Sequence, residues 1–306
     1  MPRICVLLAL LFAGAIEDIR AETSEPEGTV VTLGKISDDP RRDLLVLQPL
    51  IDYVEAGLGP HGVARVEVAM AREPSQMVSY LRQGRVSWVT ETLGMGIILS
   101  EQAGARIVMN RWKYGEREYR ATLFVRDDSP ARTIDDIRGL KVGFEHPGST
   151  TGFMVPALEI HRRGLALVPM GSPREEFPEE VTGYFYTGDE INTSTWVFKR
   201  LVDVGAVSST DWTRSFQVPD AFQGQLRIIH SSDPLPRAVE IFSADFDPAL
   251  GERLIELLTM AHENDVGRAA LDRFQGTTRF ERFEPEQWPY VRVMQEELGP
   301  MLDEVR

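Results

Sequence analysis

Residues 141–163 read KVGFEHPGSTTGFMVPALEIHRR, and this stretch decides the fold. The opening run, KVGF, is short and apolar, which predicts a strand of a buried sheet. Pro147 and Gly148 mark a turn after it. Apolar residues then recur at helical spacing from Phe153 to Ile160. The stretch therefore predicts a strand, a turn and a helix in succession.

Four residues between that turn and the helix form a hydroxyl-rich segment: Ser149, Thr150, Thr151 and Gly152. A helix start carries unpaired backbone N–H groups and the positive end of the helix dipole, and the three hydroxyls add further donors. Such a group can hold an oxyanion without Lys or Arg. One hydroxyl alone could simply cap the helix. Three hydroxyls followed by Gly exceed that need, so a cap and an anion site both stay open as interpretations.

Composition limits the class of partner. The 306 residues include 33 Lys and Arg against 47 Asp and Glu, a formal charge of −14, and 42% of them are hydrophobic. This length suffices for two compact lobes with a large core. The negative charge argues against nucleic acid and anionic membranes as partners. It does not exclude a small anion, because salt screens distant carboxylates over about 8 Å and nearby donors decide local affinity.

The N-terminus predicts an export signal. Arg3 precedes an apolar run over residues 4–16, which is too short to span a bilayer comfortably. Cleavage is expected after Ala15, which closes an A-x-A pattern, or after Ala21. We therefore predict a signal peptide over residues 1–21 and a mature protein in the periplasm.

The sequence offers little for metal or covalent chemistry. Cys5 is the only cysteine and lies inside the signal segment, so the mature chain would have no thiol for a disulfide, a metal or catalysis. The five histidines are scattered without metal-ligand spacing, and no GxSxG, HExxH or P-loop pattern occurs. We therefore predict neither an enzyme nor a cofactor.

Strands and helices alternate along the rest of the chain. Short apolar or alternating runs predict strands at residues 30–36, 63–70, 85–89, 119–125, 202–207, 226–230 and 237–244. Helical spacing predicts helices at residues 44–58, 75–83, 93–103 and 133–138, within 185–199, and over most of 248–305. This alternation implies parallel sheets with ligands at the carboxyl ends of the strands.

Three further groups of polar residues are candidates for the ligand site. They are Thr90, Glu91 and Thr92 after the strand at 85–89; Asn192, Thr193 and Ser194 in a second hydroxyl-rich helix start; and Asp203 at the edge of the strand at 202–207. A carboxylate that faces an oxyanion is repelled unless a proton or a cation intervenes. We therefore expect Glu91 either to point to solvent or to accept a hydrogen bond from a protonated ligand.

Several sequence segments occur in an order that carries a family resemblance. The general ones are PLIDYV at 49–54, YLRQG at 80–84, YRATLFVRDDSP at 119–130 and DDIRGLKVGF at 135–144. More specific are STTG at 149–152, followed by Val155-Pro156, and DVGAV at 203–207. Together these resemble the phosphonate/phosphite/phosphate substrate-binding proteins of ABC transporters, whose STSG signature and DxGAV element the last two match. The resemblance covers nearly the whole mature chain.

The resemblance implies a type II periplasmic binding protein, in which two α/β lobes joined by crossing strands close on a ligand in the cleft between them. Lobe one would comprise residues 29–118 and 239–306, and lobe two residues 119–238. In this family the hydroxyl turn grips phosphoryl oxygens, and here that role would fall to the turn at 149–152.

Two departures from the family pattern leave the ligand open. Residues 90–92 stand where the family commonly has an aromatic residue, Gly and Pro, and residues 192–195 stand where many members have Ser-His-Asp. These positions shape the non-phosphoryl end of the ligand, so phosphate, phosphite, phosphonate or a similar tetrahedral oxyanion all remain. We expect a monomer that delivers its ligand to an ABC permease. The alternative is a ligand sensor that docks on a histidine kinase ectodomain.

Overall fold

A computed structural model describes residues 28–305. The predicted signal peptide, with its cleavage positions after Ala15 and Ala21, lies outside the described residues. Within residues 28–305 the chain forms two six-stranded sheets flanked by helices. No helix in this range has the length and apolar character needed to cross a membrane.

The first part of the chain alternates strands and helices of one lobe. Its elements are β1 (Thr29–Ile36), α1 (Pro40–Leu58), β2 (Val63–Ala71), α2 (Pro74–Arg82), β3 (Trp88–Glu91), α3 (Leu93–Ala103) and β4 (Arg106–Arg111). Helix α1 begins where the sequence favours a start: the Asp39 side chain accepts a hydrogen bond from the backbone N–H of Arg42, and Pro40 occupies a position that needs no donor. Its apolar residues are buried against the sheet.

The middle part of the chain builds the second sheet. Its elements are β5 (Glu118–Tyr119), β6 (Ala121–Arg126), β7 (Lys141–Phe144), a π-helical turn (Thr150–Met154), α4 (Val155–His161), β8 (Leu167–Pro169), β9 (Thr182–Tyr186), α5 (Glu190–Phe198), β10 (Val204–Ser208), α6 (Ser209–Trp212), α7 (Asp220–Gln223) and β11 (Leu226–Ser231). The strand, turn and helix predicted for residues 141–163 are all present.

The last part of the chain returns to the first sheet. Its elements are β12 (Leu235–Pro236), β13 (Val239–Phe242), α8 (Pro248–Met260), α9 (Asp265–Arg273), β14 (Phe280–Arg282) and α10 (Pro289–Glu304). Strand β14 lies in a region where the sequence predicts only helices and loops. Three residues are too few to show the alternation that distinguishes a strand in the sequence. These residues form a strand because they pair with β4.

The two sheets are mixed, which corrects the expectation of parallel sheets. Sheet one has the strand order β14-β4-β13-β3-β1-β2, and sheet two has the order β11-β6-β10-β7-β9-β8. Strand β13 runs antiparallel between β3 and β4, and β6 runs antiparallel between β10 and β11. Each of these strands comes directly after a short strand that crosses between the lobes, β6 after β5 and β13 after β12. The chain therefore enters each sheet from the cleft side, which makes the strand antiparallel to its neighbours. The remaining neighbours β1, β2 and β3, and likewise β7, β8, β9 and β10, run parallel.

Two short strands and one long helix connect the lobes. Strands β5 and β12 pair antiparallel through Tyr119 and Leu235 and carry the chain out and back. Helix α10 contacts α3 of the first lobe and α4 of the second. At its end, the hydroxyl of Tyr184 on β9 donates to the backbone carbonyl of Val305 at 2.7 Å. We propose lobes of residues 29–118 plus 239–306 and residues 119–238, with α10 in contact with both.

A mostly buried carboxylate lies beneath this helix. The Glu159 side chain on α4 accepts a hydrogen bond from Arg163 Nη1 at 2.8 Å and lies 3.4 Å from Nε2 of His230. Burial raises the pKa of Glu159, but the interactions with His230, Tyr290 and Arg163 outweigh burial and hold this pKa at about 2. The ionised carboxylate therefore helps to fix α4, β11 and α10 against one another.

Candidate functional site

A cavity of about 910 Å³ lies between the two lobes. Its walls come from segments at or just after the carboxyl ends of strands. Lobe one contributes residues 36–38 at the end of β1, 72–75 after β2, Thr92 after β3 and Lys113 after β4. Lobe two contributes residues 145–151 after β7, Gly188 and Glu190 after β9, and Asp211 after β10. This is the carboxyl end of the parallel strands, where open α/β sheets bind ligands. The cavity is large enough for a ligand with an organic part as well as an anionic group.

The predicted hydroxyl turn lines this cavity. Ser149, Thr150 and Thr151 are all at least nine-tenths buried and all contribute to the wall. The Ser149 side chain accepts a hydrogen bond from the backbone N–H of Gly152 at 2.9 Å, so Ser149 is the helix cap. The backbone N–H groups of Thr150 and Thr151 belong to the first turn and have no intrahelical acceptor. Neither N–H donates to an atom of residues 28–305 in the loops, so both can donate to a ligand.

Gly152 lies beneath the turn, away from the cavity wall. A side chain at this position would have its Cβ 2.7 Å from both Cβ and Oε2 of Glu145, and 2.8 Å from the Ser149 hydroxyl oxygen. The backbone N–H of Glu145 also donates to the Gly152 carbonyl at 3.0 Å. The tight approach of the β7 end to the turn therefore requires glycine here, a packing role in addition to the predicted one.

Thr150 connects the turn to the opposite lobe. Its hydroxyl oxygen accepts a hydrogen bond from the backbone N–H of Gly94, at the start of α3, at 3.0 Å. The hydroxyl keeps its own proton to donate. The N-terminus of α3 and the N-terminus of the π-helical turn thus meet across the cleft, and both present the positive end of a helix dipole.

Tyr119 in the hinge strand stands beside the same turn. Burial raises the pKa of its phenol, and the Thr150 and Thr151 hydroxyls are close enough to lower this pKa in part. Even so, the Tyr119 hydroxyl makes no hydrogen bond to any atom of residues 28–305 and remains buried at the cavity wall. The guanidinium carbon of Arg237 lies over the Tyr119 ring, 4.7 Å from its centroid.

Cations line the same side of the cavity. Arg237 is 6% exposed, and its Nε lies 3.4 Å from Oε2 of Glu116 without forming an aligned hydrogen bond. Lys113 lies in the wall with its Nζ 5.4 Å from the ring centroid of Tyr114, and it forms no ion pair among the described residues. Burial, followed by repulsion from Arg237, holds the pKa of Lys113 well below its usual value.

Glu91 is engaged by a cation that the sequence did not point to. Lys35 Nζ donates to Glu91 Oε1 at 2.5 Å, the backbone N–H of Ile36 donates to the same oxygen at 3.3 Å, and the N–H of Thr92 donates to Oε2 at 3.2 Å. Glu91 therefore does not point freely to solvent, whereas a hydrogen bond from a protonated ligand, the other orientation left open, stays a prediction. Both Glu91 and Thr92 line the cavity.

Thr90 lies behind the wall and supports it. Its hydroxyl donates to Glu240 Oε1 at 2.8 Å, and Trp88 Nε1 donates to Oε2 of the same carboxylate at 2.6 Å. Glu240 is fully buried, and Arg111 Nε lies 3.1 Å from its Oε1. Burial raises the pKa of Glu240 to about 7 and lowers that of Arg111 to about 10.

The lobe-two wall also carries acidic groups. Burial, with repulsion from Glu145 and Asp211, raises the pKa of Glu190 to about 7. The Glu145 carboxylate lies 3.2 Å from Nε2 of His146, and this hydrogen bond raises the pKa of the imidazole. Asp211 accepts from the Ser208 hydroxyl at 2.5 Å. The cavity thus has a cationic side at the hinge and an acidic side near α5.

The second predicted hydroxyl segment does not line this cavity. Asn192 Nδ2 donates to the Thr187 carbonyl at 3.0 Å, and the hydroxyls of Thr187 and Thr193 lie 2.5 Å apart. The Ser194 hydroxyl donates to the Gln217 carbonyl at 2.7 Å. These residues lie inside α5 and not before its first turn, and their polar groups bind backbone carbonyls of the protein.

Asp203 also lies away from the cavity wall. Its side chain is exposed, and Oδ2 accepts the backbone N–H of Lys141 at 2.9 Å. This hydrogen bond ties the start of β7 to the start of β10, at the end of the strands opposite the cleft. The structure thus assigns Asp203 a role in strand pairing, whereas the ligand-binding role predicted for it stays untested.

Sequence reasoning missed the cationic side altogether. Lys35, Lys113 and Arg237 are far apart in the chain, and none belongs to a recognisable motif. The one available signal was positional: Lys35 lies at the carboxyl end of a predicted strand, where ligands are expected.

The fold and site define a two-lobe substrate-binding protein, with the ligand cavity at the carboxyl ends of the strands and hinge strands between the lobes. A family model described as "ABC transporter, phosphonate, periplasmic substrate-binding protein" matches residues 36–288. This chain belongs to that family. The family assignment and the two-lobe α/β fold predicted from the sequence are therefore confirmed.

Solved structures agree with this assignment. XAC2383 from Xanthomonas citri, in a structure bound to ATP, is 34% identical, with a TM-score of 0.85 over 90% of this chain and 99% of that one. PhnD1 from Prochlorococcus marinus, in complex with methylphosphonate, is 16% identical, with a TM-score of 0.64 over 92% of this chain and 100% of that one. The sulphonate-binding protein SsuA from Escherichia coli is 13% identical, with a TM-score of 0.54 over 92% and 88% of the two chains. The last two comparisons support the fold alone.

Proposed function

We propose that this protein binds a ligand with a phosphoryl or phosphonyl group in the cleft and delivers it to an ABC permease in the periplasm. The observation that carries this proposal is the hydroxyl turn at residues 149–151, with its unpaired N–H groups, at the wall of a cavity between two lobes. Hydroxyl and backbone N–H donors at a helix N-terminus suit a tetrahedral oxyanion.

Two of the similar structures hold a phosphorus oxyanion, which supports this ligand class. ATP in the XAC2383 structure and methylphosphonate in the PhnD1 structure share a phosphorus atom bonded to several oxygens. Phosphate, phosphite and phosphonates all meet this description, and the turn at 149–151 contacts only that part of a ligand. The matched family is a transport component, which favours a permease as the partner over a histidine kinase ectodomain.

The acidic side of the cavity favours ligands that carry a proton. Glu190 has a pKa of about 7 and is in part ionised near neutral pH, so its carboxylate can accept a hydrogen bond from a protonated ligand oxygen and repels an oxyanion that carries no proton. Sulfate carries no proton at this pH and offers acceptors only. We therefore expect hydrogen phosphate or a hydrogen phosphonate to bind more tightly than sulfate.

A binding panel tests the proposal. Isothermal titration calorimetry on the mature protein would measure phosphate, phosphite, methylphosphonate, arsenate and sulfate at neutral pH. Binding of at least one phosphorus oxyanion more tightly than sulfate supports the proposed ligand class. Absence of binding for every phosphorus compound would refute it. Delivery is tested separately, by whether the loaded protein stimulates the ATPase activity of its cognate permease in vesicles.

A further inference from the structure

The hinge side of the cavity carries an uncompensated positive charge. Four cations, Lys35, Arg111, Lys113 and Arg237, influence one another there. Three of them lie next to carboxylates: Lys35 with Glu91 at 2.5 Å, Arg111 with Glu240 at 3.1 Å, and Arg237 with Glu116 at 3.4 Å. Lys113 has no carboxylate within ion-pair distance in residues 28–305. Four cations against three carboxylates leave one positive charge without a counterion.

A cation held away from solvent without a counterion is costly in free energy, and this cost lowers the pKa of Lys113; an anionic ligand beside it would restore the charge and supply the counterion. Glu91 attracts the Lys113 ammonium and raises its pKa in part, but Glu91 is already bound by Lys35. Arg237 adds to the same demand, because the residue is 6% exposed and its Nε makes no hydrogen bond to an atom of residues 28–305. Both side chains line the cavity, so a ligand can reach them.

This cationic pair is distinct from the hydroxyl turn but adjacent to it. Tyr119 lies between the two groups. The guanidinium carbon of Arg237 is 4.7 Å from the centroid of the Tyr119 ring, and the Tyr119 hydroxyl approaches the hydroxyls of Thr150 and Thr151. The buried Tyr119 hydroxyl has no partner among the described residues, so it is free to donate to a ligand between the two groups. The turn alone provides enough donors for one tetrahedral anion, which leaves the cations for a second charge.

We propose that the ligand carries two neighbouring anionic groups, with a phosphoryl or phosphonyl group in the turn at 149–151 and a second anionic group on Lys113 and Arg237. This inference rests on the proposed function and specifies its ligand class. The shared chemistry is a second negative charge one or two bonds beyond the first anion. A second phosphoryl group and a carboxylate both supply it, and the test separates these two sources.

Two pairs of probes differ only in the second anion. Pyrophosphate extends phosphate by a second phosphoryl group, and phosphonoacetate extends methylphosphonate by a carboxylate. Calorimetric Kd values for all four would be measured on the mature wild-type protein and on Lys113→Met. The methionine keeps the length and apolar stem of lysine while it removes the charge. A charged hydrogen bond sets the expected loss at roughly ten- to a hundredfold for the longer member of a pair.

Two further variants control the experiment. Lys113→Arg keeps a positive charge and is expected to retain the preference for two anions. Lys199→Met removes one charge from an exposed position outside the cavity, so it reports any effect of net charge alone. Thermal unfolding without ligand would show that Lys113→Met is folded, and removal of an unpaired charge is expected to leave its stability equal or higher.

The outcomes distinguish this inference from the proposed function. Tighter binding of pyrophosphate than phosphate, or of phosphonoacetate than methylphosphonate, supports it if the preference is lost in Lys113→Met and kept in Lys199→Met. The pair that shows the preference identifies the second group. Equal affinities within both pairs for the wild type, or equal losses for short and long probes in Lys113→Met, would overturn the second-anion site and leave the proposed function intact. Failure of all four probes to bind would overturn the second-anion site, and failure of phosphite as well would overturn the proposed function.

Discussion

Replacement of Thr150 by valine tests the turn most directly. The hydroxyl is 1% exposed, accepts the N–H of Gly94 from the opposite lobe at 3.0 Å, and keeps a proton to donate to an anion. Valine keeps the branched shape and fills the same space. The variant therefore loses two hydrogen bonds without opening a cavity.

The magnitude follows from those two hydrogen bonds. A hydrogen bond to a charged group contributes about 1.5–3 kcal/mol, and a neutral one about 0.5–1.5 kcal/mol. The contact with Gly94 joins the two lobes, so its loss also weakens closure on the ligand. A combined loss of about 2–4 kcal/mol corresponds to roughly 30- to 1,000-fold weaker binding.

Calorimetry on wild type, Thr150→Val and Thr150→Ser provides the measurement. Serine keeps the hydroxyl, so its Kd is expected to stay within about fivefold of wild type. The ligand-free valine variant should also unfold about 2–4 °C lower, because the buried N–H of Gly94 loses its acceptor at a cost of about 1 kcal/mol. An unchanged Kd in the valine variant would refute the anion role of Thr150. Equal losses in both variants would show that loss of the hydroxyl does not explain the effect, because serine keeps the hydroxyl.

Three further carboxylates give testable predictions. Glu159 has a pKa of about 2 against an ordinary value of 4.5, so its stabilising contribution is complete above pH 4.5 and is lost as the pH falls through 2. Glu159→Gln should therefore lower the Tm at pH 7 and have little effect on it near pH 2. An equal loss of Tm at both pH values would contradict this. Glu190, with a pKa of about 7, gains a negative charge as the pH rises through 7. Anion affinity should therefore fall over that range more steeply in the wild type than in Glu190→Gln. The same pH dependence of affinity in both proteins would show that Glu190 does not act on the anion. Glu91→Gln frees Lys35 from its ion pair. The variant should therefore bind phosphate more tightly at low salt, and the gain should be smaller at high salt, as measured by calorimetry at two NaCl concentrations. Weaker binding would show that Glu91 supports anion binding and does not merely neutralise Lys35. The Lys113 series described above is the remaining prediction.

The turn at 149–152 could be predicted because its donors are contiguous in the sequence. Strand, turn, hydroxyls and helix follow one another, so local pattern alone places the donors at the carboxyl end of a strand. The segment at 192–194 shows that the same pattern does not always place hydroxyls at the cavity wall. Ser and Thr inside a helix satisfy themselves on nearby carbonyls, and the sequence does not show whether a helix begins at residue 190 or after it.

The cationic side could not be predicted because topology brings it together. Lys35 ends β1, Lys113 follows β4, and Arg237 follows the hinge strand β12. Their proximity depends on the strand order of sheet one and on the pairing of β5 with β12, neither of which periodicity reveals. The same holds for the Lys35–Glu91 ion pair, which links two neighbouring parallel strands at their carboxyl ends.

The contact of α10 with both lobes provides a means of observing motion in solution. The N-terminal end of β1 belongs to the first sheet, whereas the end of α10 is held on the second lobe through the Tyr184 hydroxyl. Both ends belong to lobe one by chain position, but fluorophores attached there would be held on different sheets and would leave the cavity untouched. Energy transfer between them would change with the angle between the lobes. The protein could thus serve as a ratiometric reporter of its own ligand.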